Sequence, residues 1–293
     1  MRLLRAATLV TPDPEAAAAR YGTWFDYTIA ERGVVDPALA AAWQAPASAG
    51  RRFVVCQPAS GAEIFLRFVE GPLVAGYRPL RSFGWAAIEL CVQDVLAVAA
   101  RLQNSPFEII GPPRRIDGLP TIFPMQVKGA DGEIVYLTQI DGDLPEYTLP
   151  RARTLIDHLF ILVLGCSDLA SSGAWLERVG GLRQGRSLDL VYTMISQAYD
   201  LPEDQLHTIA TLTHERDVFL EIDQYPAQAT ARPSEPGALV PGIALGSLCS
   251  PDLDAVAGPW LAPPAVRDGV VYGGRRAGVV RGPDGVLLEL IDA

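Results

Sequence analysis

Gly282-Pro-Asp-Gly-Val-Leu-Leu-Glu-Leu-Ile-Asp292 has a twin in the first half of the chain, Gly129-Ala-Asp-Gly-Glu-Ile-Val-Tyr-Leu-Thr-Gln139. Each places an Asp-Gly turn dipeptide before an apolar run rich in strand formers. Asp131 and Asp284 lie roughly half the chain apart, which points to a duplicated unit. The twins differ at one position: Glu289 stands where the first copy has Tyr136. A carboxylate within an apolar strand is costly unless something pairs with it.

A second match runs through the same halves. Gly111-Pro-Pro-Arg-Arg-Ile-Asp-Gly118 parallels Ala262-Pro-Pro-Ala-Val-Arg-Asp-Gly269, and each precedes a hairpin and an Asp-Gly strand. Working outward, strand, helix and further strands recur four times. Leu3 to Val10, Trp85 to Val92, Leu155 to Leu164 and a run from Gly242 open the units. Helices are expected over Glu15 to Phe25, with Pro14 in the first turn, over Asp94 to Leu102, and over Leu169 to Val179. A loop leading to a short helix, Pro37 to Trp43, and an extra helix, Leu188 to Leu201, complete the reading. Hairpins are expected over 52–69, 121–140 and 207–224. The polar, Pro-containing stretch Asp143 to Arg153 reads as a linker. It divides the chain into modules 1–145 and 154–293, and the fold class is α+β, four tandem βαβββ units.

Composition narrows the function classes. The 293 residues suffice for two domains. The formal net charge is −10, and Lys128 is the one lysine among 24 basic residues, so no basic face for nucleic acid is expected. No apolar run approaches the roughly 20 residues of a membrane span. Met1-Arg-Leu-Leu-Arg5 leads directly into a strand-like run without a signal-peptide pattern, and the expected location is cytoplasmic. Cys56, Cys91, Cys166 and Cys249 are widely spaced in apolar runs and read as buried thiols in a reducing compartment.

Tandem βαβββ units curl into cup-shaped sheets, so polar residues pointing inward are the candidates for chemistry. In the second half these are His158, Glu221 and Glu289, each among apolar residues on a different strand. One imidazole and two carboxylates can hold Fe, Mn, Ni or Zn with positions open for substrate oxygens. The bland alternative is a satisfied core histidine and two arginine-paired glutamates. His207 and His214, flanking a hairpin strand, and Tyr192 are candidate proton-transfer or hydrogen-bonding groups. Tyr272, Arg275 and Arg276 are candidate substrate-binding groups, since an arginine fork suits a carboxylate. No phosphate loop, nucleophile elbow or Cys–His pair is visible.

The fourfold βαβββ arrangement, the Asp-Gly closing strands and the polar residues in the first and last strands resemble the vicinal oxygen chelate superfamily. That superfamily includes glyoxalase I, bleomycin-resistance proteins and extradiol dioxygenases. The resemblance covers essentially the whole chain and implies two glyoxalase-like modules with cup-shaped mixed sheets. It implies metal ligands at His158, Glu221 and Glu289, with Ala244 or Leu245 where a fourth would stand. Ala6, Arg67, Ala87 and Tyr136 fill the matching first-half positions and imply a module without metal. Two functions follow as expectations. One is a metal-dependent glyoxalase- or dioxygenase-type enzyme, a lyase, isomerase or ring-cleaving dioxygenase, chelating two oxygens of a small 2-oxo or aromatic substrate. The other is a metal-free small-molecule-binding protein of the bleomycin-resistance kind. A homodimer is plausible for such sheets.

Overall fold

The computed structural model describes residues 3–256 and 258–293. The first unit comprises β1 (Leu4–Thr11), α1 (Pro14–Phe25), β2 (Thr28–Val34), α2 (Pro37–Ala42), β3 (Arg52–Gln57) and β4 (Phe65–Glu70). The second has β5 (Gly84–Val92), α3 (Val95–Leu102), β6 (Glu108–Gly111), β7 (Ile122–Lys128) and β8 (Ile134–Ile140). The third has β9 (Ile156–Cys166), α4 (Leu169–Gly180), β10 (Arg183–Val191), α5 (Thr193–Ala198), β11 (Leu206–His214) and β12 (Asp217–Gln224). The fourth has β13 (Gly242–Ser250), β14 (Trp260–Val266), β15 (Arg276–Arg281) and β16 (Leu287–Asp292).

An aspartate follows the opening strand of every unit. Asp13, Asp94 and Asp168 cap α1, α3 and α4 by accepting backbone N–H bonds, and Asp252 does the same for a single helical turn, Leu253–Ala255. The fourth unit thus keeps the cap although its helix is reduced to that turn.

Two expected elements differ. Residues 28–34, read as loop, form β2. The helix expected over Leu188 to Leu201 is instead the end of β10 followed by the short α5. Leu188 and Leu190 alternate with polar or exposed neighbours, a two-residue period that the ladder to β11 selects over the helical one.

Each eight-stranded sheet joins two units that are not its obvious pair. One runs β14-β15-β16-β13-β1-β4-β3-β2, from units four and one; the other runs β10-β11-β12-β9-β5-β8-β7-β6, from units three and two. The seams are antiparallel ladders, β1 with β13 (Ala6 opposite Ser247) and β5 with β9 (Glu89 opposite Ile161). The segments 1–145 and 154–293 therefore each contribute to both sheets. The cup-shaped, two-module fold stands, but the second half does not close a cup of its own.

The backs of both sheets share one core with the apolar faces of α1, α3 and α4. In α3, Val95, Val98 and Leu102 recur at helical spacing and are buried, each contributing about 1.5–3 kcal/mol. Trp85 Nε1 donates to Leu287 O at 2.8 Å, tying the sheets across this core. The twin Asp-Gly turns add matching ties. Asp131 accepts from Thr11 Oγ1 at 2.7 Å and from Arg20, while Asp284 accepts from Ser167 N at 2.8 Å and Oγ at 2.7 Å. Among the described residues no helix is long and apolar enough to cross a membrane.

Candidate functional site

The remaining sheet faces are two cups, and the expected metal set is divided between them. Glu289 belongs to the first cup, built by units one and four. Glu221 belongs to the second, opposite Val163 of β9. His158 lies five positions before Val163, about 16 Å along the strand at a rise of about 3.3 Å per residue. The three cannot share an ion.

In the first cup Glu289 is buried and saturated. Its Oε1 accepts from Tyr272 Oη at 2.9 Å and Trp43 Nε1 at 3.2 Å, and its Oε2 from Ser247 Oγ at 2.8 Å and Arg67 Nη2 at 3.5 Å. Arg67 also donates from Nη1 to Tyr272 Oη at 2.7 Å and from Nε to Thr8 Oγ1 at 2.9 Å. Its guanidinium lies 4.6 Å from the Trp43 ring centroid, a cation–π contact. Burial works against the Arg67 charge, but Tyr272 and Glu289 outweigh it and hold its pKa above the usual arginine value. Burial keeps the Tyr272 hydroxyl protonated.

This network is the floor of a cavity of about 360 Å³, walled by Leu39, Phe53, Val55 and Val271, with Glu31, Asp36, Arg267 and Asp268 towards its rim. Of the five N–H bonds of the guanidinium, three are used.

A divalent ion does not fit this cup. Both oxygens of the one carboxylate on its floor, Glu289, are occupied, a fixed cation stands beside them, and Ala6 and Leu245 offer no ligand atoms.

In the second cup three carboxyls project from the sheet. Thr138 Oγ1 donates to Glu89 Oε1 at 2.5 Å. Burial and the nearby Glu221 push Glu89 up to about 8. Burial and Asp223 raise Glu221 against the pull of the Tyr192 hydroxyl, and burial raises Asp223 to about 7. Burial thus shifts both Glu221 and Asp223 towards their protonated forms. Both Asp223 oxygens, and the hydroxyls of Tyr136 and Tyr225, are buried and meet no partner in bonding geometry among the described residues. Glu221 and Tyr192 remain partly accessible despite their depth, and the Tyr136 and Tyr192 rings stand edge to face at 6.2 Å.

His207, Arg275 and Arg276 have structural partners. His207 is buried, its Nε2 lies 2.9 Å from Ser196 Oγ, and burial lowers its pKa. His214 is at the β11–β12 turn, opposite Asp217. Arg275 donates to the Tyr272 and Asp292 carbonyls at 2.7 and 3.1 Å. Arg276 pairs with Asp292 at 2.7 Å and Asp254 at 2.9 Å. The two arginines brace β15 against β16. Tyr272 reaches a cavity, and Tyr192 joins Glu221.

Residues missed from the sequence are Trp43, Thr8 and Ser247 in the first cup and Glu89, Thr138 and Asp223 in the second. Glu89 carries the same signal that singled out Glu289, a carboxylate in an apolar strand. Asp223 follows Glu221 by two, on the same face.

No family model matches the sequence, and no curated protein matches it closely. Similarity lies with solved structures. Glyoxalase I from Zea mays is 17% identical, with a TM-score of 0.65 over 99% of this chain and 92% of that one. A variant of the same enzyme gives 18% and 0.66 over the same shares. A proposed dioxygenase from Bacillus subtilis gives 13% and 0.62, over 99% and 86%. At these identities the likeness establishes the fold alone, the one shared by these glyoxalase I and dioxygenase-type structures.

Proposed function

We propose that this chain binds a small, largely apolar organic molecule in the cup of units one and four, without a metal ion in that cup. Arg67 supplies the fixed positive charge towards which an anionic or strongly accepting oxygen of the ligand is directed. The observation that carries this reading is the Arg67–Glu289 pair at the floor of an open, aromatic-lined cavity. A cavity of about 360 Å³ accommodates a compact aromatic acid or phenol, in the size range of small-molecule sites. Trp43, Tyr272 and Phe53 supply ring surface, and the unused guanidinium N–H bonds supply orientation.

Binding of a panel of aromatic carboxylates and phenols, followed by calorimetry and tryptophan fluorescence, tests the reading. Binding weakened at least about tenfold in Arg67→Met, the cost of one charge-assisted hydrogen bond, is expected. Equal affinity in the variant and wild type would remove the cup from consideration.

A second reading, a proton-transferring enzyme, is favoured by the raised carboxyls Glu221 and Asp223 beside the partly accessible Tyr192. There Glu221 would act as general base and Tyr192 would orient a substrate oxygen. Turnover surviving Glu221→Gln would exclude it.

A further inference from the structure

At the corner where β5 ends and β9 begins, three side chains of metal-ligating type converge in the interior. Cys91, Asp157 and His158 are all buried, and one ligand atom of each lies within 4.8 Å of the other two. Among the described residues no other set of three gathers so closely.

Two of the three separations match a coordination polyhedron, and the third lies within 4.8 Å. Cys91 Sγ is 3.6 Å from His158 Nδ1, and His158 Nδ1 is 3.3 Å from Asp157 Oδ1. Zinc bonds of about 2.3 Å to sulfur and about 2.1 Å to nitrogen and oxygen, at tetrahedral angles, place sulfur and nitrogen about 3.6 Å apart and nitrogen and oxygen about 3.4 Å apart.

The surroundings suit a bound cation. Asp157 is fully buried, and among the described residues its one ion-pair partner is His158. A buried carboxylate needs countercharge. A thiolate and a carboxylate together would neutralise a divalent ion. Asp157 is also oriented from behind: Ser60 Oγ donates to Oδ1 and Arg153 N to Oδ2 at 2.7 Å. Each carboxylate oxygen keeps a lone pair for a metal, and such outer hydrogen bonds fix ligating carboxylates. A cavity of about 90 Å³ bordered by His158, Phe160 and Asp217 adjoins the corner.

We propose that Cys91, Asp157 and His158 bind one zinc ion at this corner. A mixed thiolate, imidazole and carboxylate set favours zinc over the harder magnesium or calcium. The site is built from the second and third units at one end of their seam, so it pins the two halves of the chain together.

The test uses the full chain, purified without a tag, loaded with zinc and then freed of excess ion. About one zinc per chain is expected by elemental analysis, and cobalt loaded in its place should give a sulfur-to-cobalt charge-transfer band. Cys91→Ala and His158→Ala should lose both, whereas Glu221→Gln should keep them. Negligible zinc in wild type, or zinc retained in Cys91→Ala, would overturn the site. If the variants fail to fold, the wild-type cobalt spectrum still decides, because absence of the sulfur band excludes Cys91 as a ligand. Failure here shows as metal content indifferent to Cys91, and failure of the cup reading as ligand affinity indifferent to Arg67.

Discussion

Arg67 and Glu289, 222 residues apart in sequence, meet at 3.5 Å with side chains 3% and 1% exposed. The first half supplies the cation and the second half the carboxylate, and Trp43, Ser247, Thr8 and Tyr272 satisfy most of their remaining hydrogen-bonding capacity.

Breaking such a pair leaves an uncompensated buried charge. Arg67→Met and Glu289→Leu should each destabilise the fold by about 3–5 kcal/mol, and the double substitution should cost clearly less than their sum. Urea unfolding of the four proteins measures the coupling. Strict additivity would mean that the two charges do not depend on one another.

Stability should fall as pH rises through neutrality, because of the second cup. Glu89 is raised to about 8 and Asp223 to about 7, against about 4.3 and 3.9 in an unfolded chain. Between those values the folded state keeps protons that the unfolded state has released, so stability decreases with pH. Each group contributes a slope of up to about 1.4 kcal/mol per pH unit. Glu89→Gln should flatten the decline between about pH 5 and pH 8. An unchanged slope in that variant would assign the pH dependence elsewhere. Asp157, lowered despite its burial by bonds from His158, Ser60 and the Arg153 N–H, acts in the opposite sense. Its contribution is present above about pH 4 and is lost as pH falls below it.

Gly165 sits under the Tyr225 ring. A Cβ there would fall 2.6 and 2.8 Å from the two Cε atoms of that ring. Gly165→Ala should therefore cost about 1–3 kcal/mol through overpacking, and the cost should shrink when Tyr225 is also truncated. Thermal melts of the two single variants and the double test this, and a neutral Gly165→Ala would show that the ring moves freely.

Residues 1–145 alone, and 154–293 alone, should not form stable monomers, because each would expose two central strands, β1 and β5 or β9 and β13, along their full ladders. Co-expressed, the two segments should assemble into one particle. Size-exclusion chromatography with circular dichroism of each segment is the check. A well-folded monomeric half would contradict the interlocked topology.

The units themselves were legible because their determinants are local: the Asp-Gly turns, the Gly111–Gly118 repeat and its twin, and the apolar strand periods. Which unit pairs with which was not. β1, β5, β9 and β13 are alike in pattern, and the choice among them rests on contacts far apart in sequence, such as Trp85 Nε1 to Leu287 O. That choice decides the site. Placing units three and four in one sheet brings Glu221 and Glu289 together, whereas the observed pairing sends them to different cups. His158 was singled out as a ligand candidate, but a register read from sequence could not show that Cys91 and Asp157 accompany it. β10 was misread because short apolar stretches satisfy both periods until a neighbouring strand selects one.

The paired seams also govern how this molecule can move. The polar stretch near Pro145 and Pro150 joins two halves that cannot swing as rigid bodies, since any rotation about it would have to strip the ladders β1–β13 and β5–β9. The prolines there set a path for the chain and confer no hinge. Ligand then enters the first cup through its open mouth, past Glu31, Asp36, Arg267 and Asp268, while the scaffold stays shut.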